Sequence, residues 1–456
     1  MNRTKKVYVL LAVLVVMSLV TFFATHVEKK KEDIKESGET VLEIPTDSVT
    51  SLSWNTEDNQ SFAFHKDDKK WIYDEDEAFP VDKKKIEKVL KPFEKAQADF
   101  IIEDVEDFEQ YGLKDPTCVI DVKTKDKDYK IEAGDFSEMD SERYVSIGDG
   151  NVYLMKTDPM ETFDVALKDF IKNDKIPEFD EVEEIRFGDL EKCKIVCEEN
   201  DGSSYRKDDK YFEHRDDKKI PMDPKAVEDY LDELENLNLN QYVTYNATDE
   251  EITQYGLENP QLKITVEYVK DEEKKTSVIS LGQNSEAKDD EGEKGYLRLD
   301  DSRIIYEIRG DEYDSLIEKS GENLRYKTAI PFDFEDIDTI EVSMDGKTYA
   351  IKVDGDKDDV NFLYKDEVIE DVTFGENFKS LKVSEFTEEQ PMDEKELSIV
   401  VTSKDESLPQ VEINIYRYDG ENCIVCVDNE PLGYLMRTKM ISLKEAVNSV
   451  VLGGND

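Results

Sequence analysis

Histidine is scarce in this chain of 456 residues: there are three, His26, His65 and His214, alongside five cysteines. Zinc sites and most catalytic triads draw on histidine or cysteine, so this stock leaves little material for either. The sequence also lacks a Gly-x-Ser-x-Gly elbow, a His-Glu-x-x-His helix and a glycine-rich phosphate loop. We therefore assign no catalytic, cofactor-binding or metal-binding residue and expect no cofactor.

The five cysteines form no persuasive metal or disulfide pattern. Cys423 and Cys426 have redox or metal spacing, but their apolar surroundings predict a strand, where residues three apart point to opposite faces. Cys193 and Cys197 share a strand face but would lie about 13 Å apart if extended, too far for a disulfide. We expect all five, including Cys118, to act as small hydrophobic residues. We also expect no histidine or cysteine to be needed for function.

Basic residues are few relative to acidic ones, 60 against 111, giving a net charge of −51. This balance argues against nucleic acid as a partner and would oppose binding to an anionic surface. Surplus acid most often serves solubility. Calcium binding is the alternative, although acidic runs such as 354–359 lack the spacing of a known calcium loop. Adjacent carboxylates are expected by chance at this composition and nominate no hydrolase site.

A single long apolar run extends from Val7 to Thr25, 19 residues without a charge. It is long enough to span a bilayer as a helix. Lysines lie on both sides, so the positive-inside rule is ambiguous, and no small-x-small cleavage site is obvious before Glu28. We expect residues 1–28 to form a cytoplasmic tip and transmembrane anchor, and 29–43 a tether. The bulk of the chain is then extracytoplasmic, on a single-pass protein of the cell membrane.

A seven-residue stretch occurs twice. Gln110–Pro116 reads Gln-Tyr-Gly-Leu-Lys-Asp-Pro and returns as Gln-Tyr-Gly-Leu-Glu-Asn-Pro at Gln254–Pro260, with five identities. This similarity indicates an internal duplication. Each copy predicts a short helix that ends at a left-handed glycine, Gly112 or Gly256, because glycine adopts that conformation without steric cost.

The sequence also predicts how these two helices begin and end. Thr248 and Glu251 form a capping box in the second copy, and Asp104 is the aligned N-cap in the first. The residue after each glycine should pack on an apolar residue of the helix: Leu113 on Phe108, and Leu257 on Ile252. For Tyr111 and Tyr255 we favour core packing over ligand stacking.

Three units follow the tether, and each opens with Ile-Pro and an apolar strand. The openings Ile44-Pro45, Ile176-Pro177 and Ile330-Pro331 set repeat unit 1 at 44–175, repeat unit 2 at 176–329 and a divergent repeat unit 3 at 330–456.

In units 1 and 2, Asp82 and Asp223 each precede a helix with an apolar stripe at i, i+3, i+4 and i+7. The stripes are Ile86, Val89, Leu90 and Phe93 in the first helix, and Val227, Tyr230, Leu231 and Leu234 in the second. Unit 3 lacks Tyr-Gly-Leu but keeps a closing strand, Tyr434–Thr438, that echoes Tyr153–Thr157. The predicted fold class is α+β: an N-terminal transmembrane helix, then three repeated units of antiparallel sheet with packed helices.

The anchor, the strand–strand–helix opening and the Tyr-Gly-Leu-x-x-Pro turn together resemble the domain of unknown function 4340 family. The resemblance covers most of residues 44–329 and, more weakly, the remainder. It supplies no catalytic residues. Such proteins are often encoded beside ABC transporter components of the type linked to gliding motility. The resemblance therefore implies an exported accessory role, with ABC transporter membrane subunits as partners.

Three functions fit these observations. The first is a membrane-anchored extracytoplasmic binding or scaffold protein, not an enzyme, accessory to an ABC-type transport or cell-envelope complex. The second is a carboxylate-dependent hydrolase of envelope polymers, which would need clustered acids of raised pKa in one cleft. The third is a passive surface spacer. Repeated units without catalytic motifs favour the first.

Overall fold

The computed structural model describes most of the chain. The described residues are 38–56, 60–103, 105–188, 193–215, 218–283, 294–356, 359–392 and 394–453. They form three antiparallel sheets of nine strands each.

The first sheet is built from residues that alternate between buried and solvent-facing positions, as a half-covered strand requires. Its strands are β1 (Glu39–Leu42), β2 (Val49–Thr56), β3 (Ser61–Asp67), β4 (Lys70–Tyr73), β5 (Ala96–Ile102), β6 (Cys118–Thr124), β7 (Asp128–Ser137), β8 (Glu142–Ser146) and β9 (Val152–Met155). Helix α1 (Lys83–Glu94) precedes β5, and the short α2 (Met160–Phe163) follows β9. The rings of Phe93 in α1 and Trp54 in β2 lie 5.7 Å and 5.3 Å from Phe163, so both helices cover the same face.

The second sheet repeats this plan. Its strands are β10 (Glu181–Phe187), β11 (Cys193–Cys197), β12 (Tyr211–Arg215), β13 (Lys218–Pro221), β14 (Tyr242–Thr244), β15 (Leu262–Lys270), β16 (Glu273–Gly282), β17 (Gly295–Leu299) and β18 (Ile305–Ile308). Its helices are α3 (Pro224–Glu235), α4 (Asp249–Gln254) and α5 (Gly310–Glu318). The Tyr230 ring of α3 packs 5.7 Å from Phe187 of the sheet, and its hydroxyl donates to the carbonyl of Leu316 in α5 at 3.2 Å.

The third sheet is covered by α6 (Val372–Lys379) and α7 (Arg437–Gly453), whose Phe378, Leu443 and Val447 enter the same buried cluster as the strands. Its strands are β19 (Ile337–Met344), β20 (Lys347–Asp356), β21 (Asp359–Tyr364), β22 (Glu367–Val368), β23 (Glu385–Phe386), β24 (Lys395–Ser403), β25 (Val411–Arg417), β26 (Asn422–Val427) and β27 (Glu430–Met436).

Eight strands occur in the same spatial order in all three sheets. The orders are β4-β3-β2-β6-β7-β8-β9-β5, β12-β11-β10-β15-β16-β17-β18-β14 and β21-β20-β19-β24-β25-β26-β27-β23. The ninth strand differs: β1 joins one edge of the first sheet, whereas β13 and β22 join the opposite edge of the others. This shared order confirms the internal repeat, and it includes the third sheet although that sheet lacks the Tyr-Gly-Leu motif.

Both predicted helix stripes are buried. Asp82 caps α1 by accepting from the Lys84 amide, and Asp223 caps α3 in the same way through Lys225. Ile86, Val89, Leu90 and Phe93 are buried in α1, as are Val227, Tyr230, Leu231 and Leu234 in α3. The sequence pattern therefore identified both the helices and the faces that they bury.

The two Tyr-Gly-Leu turns have the same backbone conformation. Gly112 and Gly256 both have φ of 70°, in the left-handed region. The amide of Leu113 donates to Phe108 at 3.1 Å, and that of Leu257 donates to Ile252 at 2.9 Å, as the predicted helix ending requires.

The short helix before the turn forms only in the second copy. There Thr248 and Glu251 make the predicted capping box for α4. In the first copy a single 3-10 turn, Glu109–Tyr111, replaces the predicted helix, and Asp104 lies outside the described residues. The physical reason is a competing Asx turn: the Asp107 side chain accepts from the Glu109 amide at 3.0 Å, so the 3-10 turn begins later in the chain than the predicted helix.

The predicted fold class is wrong. The described chain is mostly antiparallel sheet rather than α+β, because its helices are few and serve as covers on nine-stranded sheets. Among the described helices, none is long and apolar enough to cross a membrane. The predicted anchor, Val7 to Thr25, lies outside the described residues. The repeated antiparallel units are the part of the prediction that agrees with the structure.

The chain divides into two compact units. The first ends at Asp174 and contains the first sheet, and the second begins at Lys175 and contains the second and third sheets.

Candidate binding cleft between the second and third sheets

Residues 324–333, which we call the junction segment, connect the second sheet to the third. Backbone pairing holds this segment on both sides. The amide of Asp223 donates to Leu324 at 2.9 Å, and the amide of Ala329 donates to Leu381 at 2.8 Å. Isolated bridges join Arg325 to Met222 and Thr328 to Lys382. The junction segment is therefore fixed within the second compact unit, and its side chains are held in defined positions.

Arg206 secures the far end of the junction segment. Its side chain is 12% exposed, and its Nε lies 3.2 Å from a carboxylate oxygen of Asp333. Its Nη2 donates to the carbonyls of Ile330 at 3.1 Å and Phe332 at 3.4 Å. The guanidinium also lies over the Tyr326 ring, 4.1 Å from its centroid. Because these contacts join Arg206 to the junction segment, we assign it a structural role.

Asp209 lies beside this arginine and is 4% exposed. Its carboxylate accepts hydrogen bonds from Ser204 Oγ and Tyr326 Oη, both at 2.6 Å. Burial raises the pKa of Asp209 despite those two donors. Burial also raises the pKa of Tyr326, and the bond to Asp209 adds to that effect. These groups bind each other, which leaves no free acid for chemistry at this point.

A cleft of about 720 Å³ opens on the other side of Arg325, and we call it the inter-sheet cleft. Two sheet edges line it, since β13 is the last strand of the second sheet and β23 the last strand of the third. Its lining residues are Arg215, Lys218, Ile220, Glu322, Arg325, Phe386, Thr387, Glu388, Gln390, Glu430 and Pro431. Charged side chains from both sheets thus converge on a partly apolar groove.

Most of these charges neutralise each other across the cleft. Arg215 lies 2.9 Å from Glu213, whose side chain is 1% exposed, and it also reaches Glu322 at 3.3 Å and Glu388 at 3.6 Å. Lys218 pairs with Glu430 at 2.6 Å. Four glutamates at or beside the cleft therefore share two cations as ion-pair partners.

Arg325 differs from its neighbours. Its guanidinium lies 4.7 Å from the Phe386 ring centroid, and no carboxylate of the described residues comes within 4.0 Å of it. Burial lowers its pKa, and repulsion by Arg215 adds to the effect. A half-buried guanidinium offers five N–H donors in a planar fork that matches a carboxylate or phosphate. The cleft can therefore accept an anionic group at this position.

Sequence reasoning did not find Arg325, because nothing in its local sequence separates it from the other basic residues. The Ile330-Pro331 opening marks the junction segment but not the cleft beside it. The cleft forms only when Arg325 meets Phe386, which lies on an edge strand far along the chain. No short motif reports such a contact.

Each of the two described histidines pairs with an acidic residue of its own compact unit. His65 bonds Asp74 at 2.6 Å in the first compact unit, and His214 bonds Glu198 at 2.7 Å in the second. His26 lies outside the described residues. Within the described ranges, no group of three or more histidine, cysteine or acidic side chains is arranged to hold a metal ion.

The cysteines are free thiols. Cys118, Cys193, Cys423 and Cys426 are buried, and Cys197 is half-buried. Burial raises the pKa of Cys118 and of Cys193 to about 12. A thiol with such a pKa is almost entirely protonated at neutral pH and is a poor nucleophile.

A protein-family model matches most of the chain. The model described as "Domain of unknown function (DUF4340)" matches residues 71–249 and 213–399. No curated protein and no solved structure matches the chain.

Proposed function

The chain belongs to the DUF4340 family, and we propose that it is an extracytoplasmic binding or scaffold protein at the cell membrane. Its partners are the subunits of an ABC-type transport complex or another cell-envelope complex. Membrane placement is supported by the uncharged run of sequence from Val7 to Thr25. The transporter association is supported by the gene neighbourhoods implied by the family resemblance.

The observation that carries the binding function is the inter-sheet cleft with Arg325. A half-buried arginine without an acidic partner loses hydration and gains no ion pair in return. Residues that are unfavourable for the isolated fold are a common feature of binding sites. A partner that supplies an anionic group would satisfy the guanidinium and gain charge-assisted hydrogen bonds.

The hydrolase alternative has less support. It needs an accessible carboxyl group of raised pKa beside a second carboxylate. Asp209 has a raised pKa, but it is buried and bonded to Ser204 and Tyr326. The passive spacer has less support as well, because a spacer requires no cleft.

Capture of partners from membranes tests this proposal. Full-length wild-type protein and an Arg325→Gln variant are cross-linked in cells, solubilised with the membrane and purified by an affinity tag. We expect the wild type to retain specific envelope or transporter subunits. The variant should retain about tenfold less of them, since a hydrogen bond to a charged group contributes roughly 1.5–3 kcal/mol.

Arg309→Gln is the matched control. Arg309 is an exposed arginine of the same compact unit, paired with Glu312, and it is not one of the residues that line the inter-sheet cleft. The control should capture the same partners as the wild type. Equal capture by all three proteins would remove the cleft from the proposed function, and recovery of no envelope subunit by the wild type would remove the function itself.

A further inference from the structure

We propose that the inter-sheet cleft binds an extended polypeptide segment of a partner protein, with a single carboxylate of that segment held by Arg325. This inference rests on the proposed binding function and specifies its ligand. Three features of the cleft support it: its charge balance, its two sheet edges and the apolar side chains that those strands contribute to its lining.

The charge balance of the cleft favours a ligand with a single carboxylate over a ligand with several negative charges. Glu213, Glu322, Glu388 and Glu430 share Arg215 and Lys218 as ion-pair partners, so the acids here outnumber those two cations. Arg325 is the lining guanidinium that has no ion pair among the described residues, and it can accept one new carboxylate. A multiply charged group such as a phosphate dianion would meet these glutamates at close range. One carboxylate adds a single negative charge and fits the planar fork of the guanidinium.

The two sheet edges favour a polypeptide as the ligand of the cleft. Strand β13 pairs only with β12, and β23 pairs only with β27, within the part of the chain that the structure describes. An edge strand presents unpaired backbone N–H and C=O groups on its outer side. Both of these edges contribute residues to the lining of the cleft. An extended chain can pair with such an edge, which is a common mode of peptide recognition.

The apolar lining fits side chains that alternate along an extended segment. Ile220 lies on β13, Phe386 lies on β23, and Pro431 lies in β27 beside it. Successive side chains of a strand point to opposite faces, so every second residue of the segment would meet this lining. The segment should therefore combine one acidic residue with apolar residues at alternate positions.

A degenerate peptide library tests the proposal on the full-length protein. The peptides are acetylated, amidated and about seven residues long, enough for one typical strand. Their central position is fixed as Glu, Gln or Lys, and every other position is mixed. Bound peptides are eluted and sequenced by mass spectrometry. A second set has a free C-terminal carboxylate and a central Gln, which separates a side-chain carboxylate from a terminal one.

We expect the wild-type protein to retain the Glu library about tenfold better than the Gln library, which corresponds to about 1.4 kcal/mol. Retention of the free-acid set instead would assign the carboxylate to a chain terminus and would keep the proposal. Arg325→Gln should abolish the preference, Arg325→Lys should restore part of it, and Arg309→Gln should leave it unchanged. Hydrogen exchange should slow at β13 or β23 when a retained peptide is bound.

Several results would overturn the proposal. One such result is equal retention of the Glu, Gln and free-acid libraries by the wild-type protein. This comparison uses the wild type alone, so it does not depend on whether any variant folds. Another is competition by citrate as strong as by any peptide, which would indicate a small-molecule carboxylate site. Unchanged exchange at both edge strands would exclude backbone pairing. If the Arg325-dependent capture of membrane partners persists in any of these cases, the binding function stands and only the peptide ligand is wrong.

Discussion

Tyr255 of the second Tyr-Gly-Leu turn packs against Tyr296 of β17, with the ring centroids 4.6 Å apart. Tyr111 makes the same contact with Tyr144 of β8 at 5.0 Å. In both sheets the turn is thereby held against the neighbouring hairpin by an aromatic pair. This contact explains why the tyrosine recurs with the glycine, since the glycine allows the turn and the tyrosine anchors it.

The first prediction concerns the glycine of that turn. Gly112 has φ of 70°, and a Cβ at this position would lie 2.7 Å from the backbone nitrogen of Asp135. Gly112→Ala should therefore combine backbone strain with overpacking and lower the free energy of unfolding by about 2–4 kcal/mol. Both tryptophans of the chain, Trp54 and Trp71, lie in the first sheet, so tryptophan fluorescence during urea unfolding reports this unit.

Gly148→Ala is the matched control for this prediction. Gly148 also has a left-handed φ, 80°, but a Cβ there meets nothing within 4 Å. This variant should lose about 1 kcal/mol, the cost of the backbone conformation alone. Equal losses in the two variants would show that the close approach at Gly112 carries no cost.

How much could be predicted from the sequence depended on the range of the interactions. The caps at Asp82 and Asp223 and the buried stripes beside them follow from local periodicity, and these predictions are confirmed. The strand order of the third sheet was harder to predict from the sequence. Its strands β19 and β24 pair across a long stretch of chain, and this sheet lacks the motif that the other two share. The inter-sheet cleft could not be predicted from the sequence for the same reason, since its residues come together only through tertiary packing.

The second prediction concerns the junction segment. Arg206→Ala removes the ion pair with Asp333 and the bonds to the carbonyls of Ile330 and Phe332. We expect a loss of about 2 kcal/mol, because hydrogen bonds to a charged group contribute roughly 1.5–3 kcal/mol. The measurement is thermal unfolding by circular dichroism, combined with limited proteolysis of residues 324–333. Arg309→Ala, which removes an exposed arginine, should leave both unchanged. Identical proteolysis of the Arg206 variant and the wild type would contradict this role.

The third prediction concerns the thiols. Burial raises the pKa of Cys118 and Cys193 to about 12 and that of Cys423 to about 11, so these residues should resist alkylation in the folded chain. Cys197 is half-buried and should react first. Maleimide labelling followed by peptide mass spectrometry measures each rate, and labelling in urea should make all five alike. A native rate at Cys118 that matches Cys197 would show that the first sheet opens readily.

The fourth prediction concerns the net charge of −51. Like charges repel in the compact state, so screening them should stabilise the fold. Raising the ionic strength from about 0.01 M to about 0.15 M shortens the Debye length from roughly 30 Å to about 8 Å. The unfolding temperature should rise over this range, because the repulsion among excess acids outweighs the weak exposed ion pairs. A falling unfolding temperature would mean that the ion pairs contribute more than the repulsion costs.

The last prediction is the pH dependence of stability that Asp209 introduces. Burial raises the pKa of this carboxyl in the folded chain above the value of about 3.9 that an unfolded chain has. Between those two values the folded chain binds a proton that the unfolded chain does not. The contribution of Asp209 to the free energy of unfolding therefore decreases as the pH rises through this window, and it stays lowered above the folded pKa.

Asp209→Asn removes this titration, and the amide can still accept one of the bonds from Ser204 or Tyr326. The difference in unfolding free energy, wild type minus variant, should fall as the pH rises from about 4 to about 7. Asp201→Asn is the control, because Lys219 and Ser203 hold the pKa of the exposed Asp201 at about 2. In the folded chain Asp201 titrates below this pH range, whereas in the unfolded chain it titrates at about 3.9. The difference between the wild type and Asp201→Asn should therefore rise slightly near pH 4, the opposite sign to Asp209, and stay constant from about pH 5 to about pH 7. If the Asp209→Asn curve were parallel to the wild type, burial would not raise the pKa of Asp209.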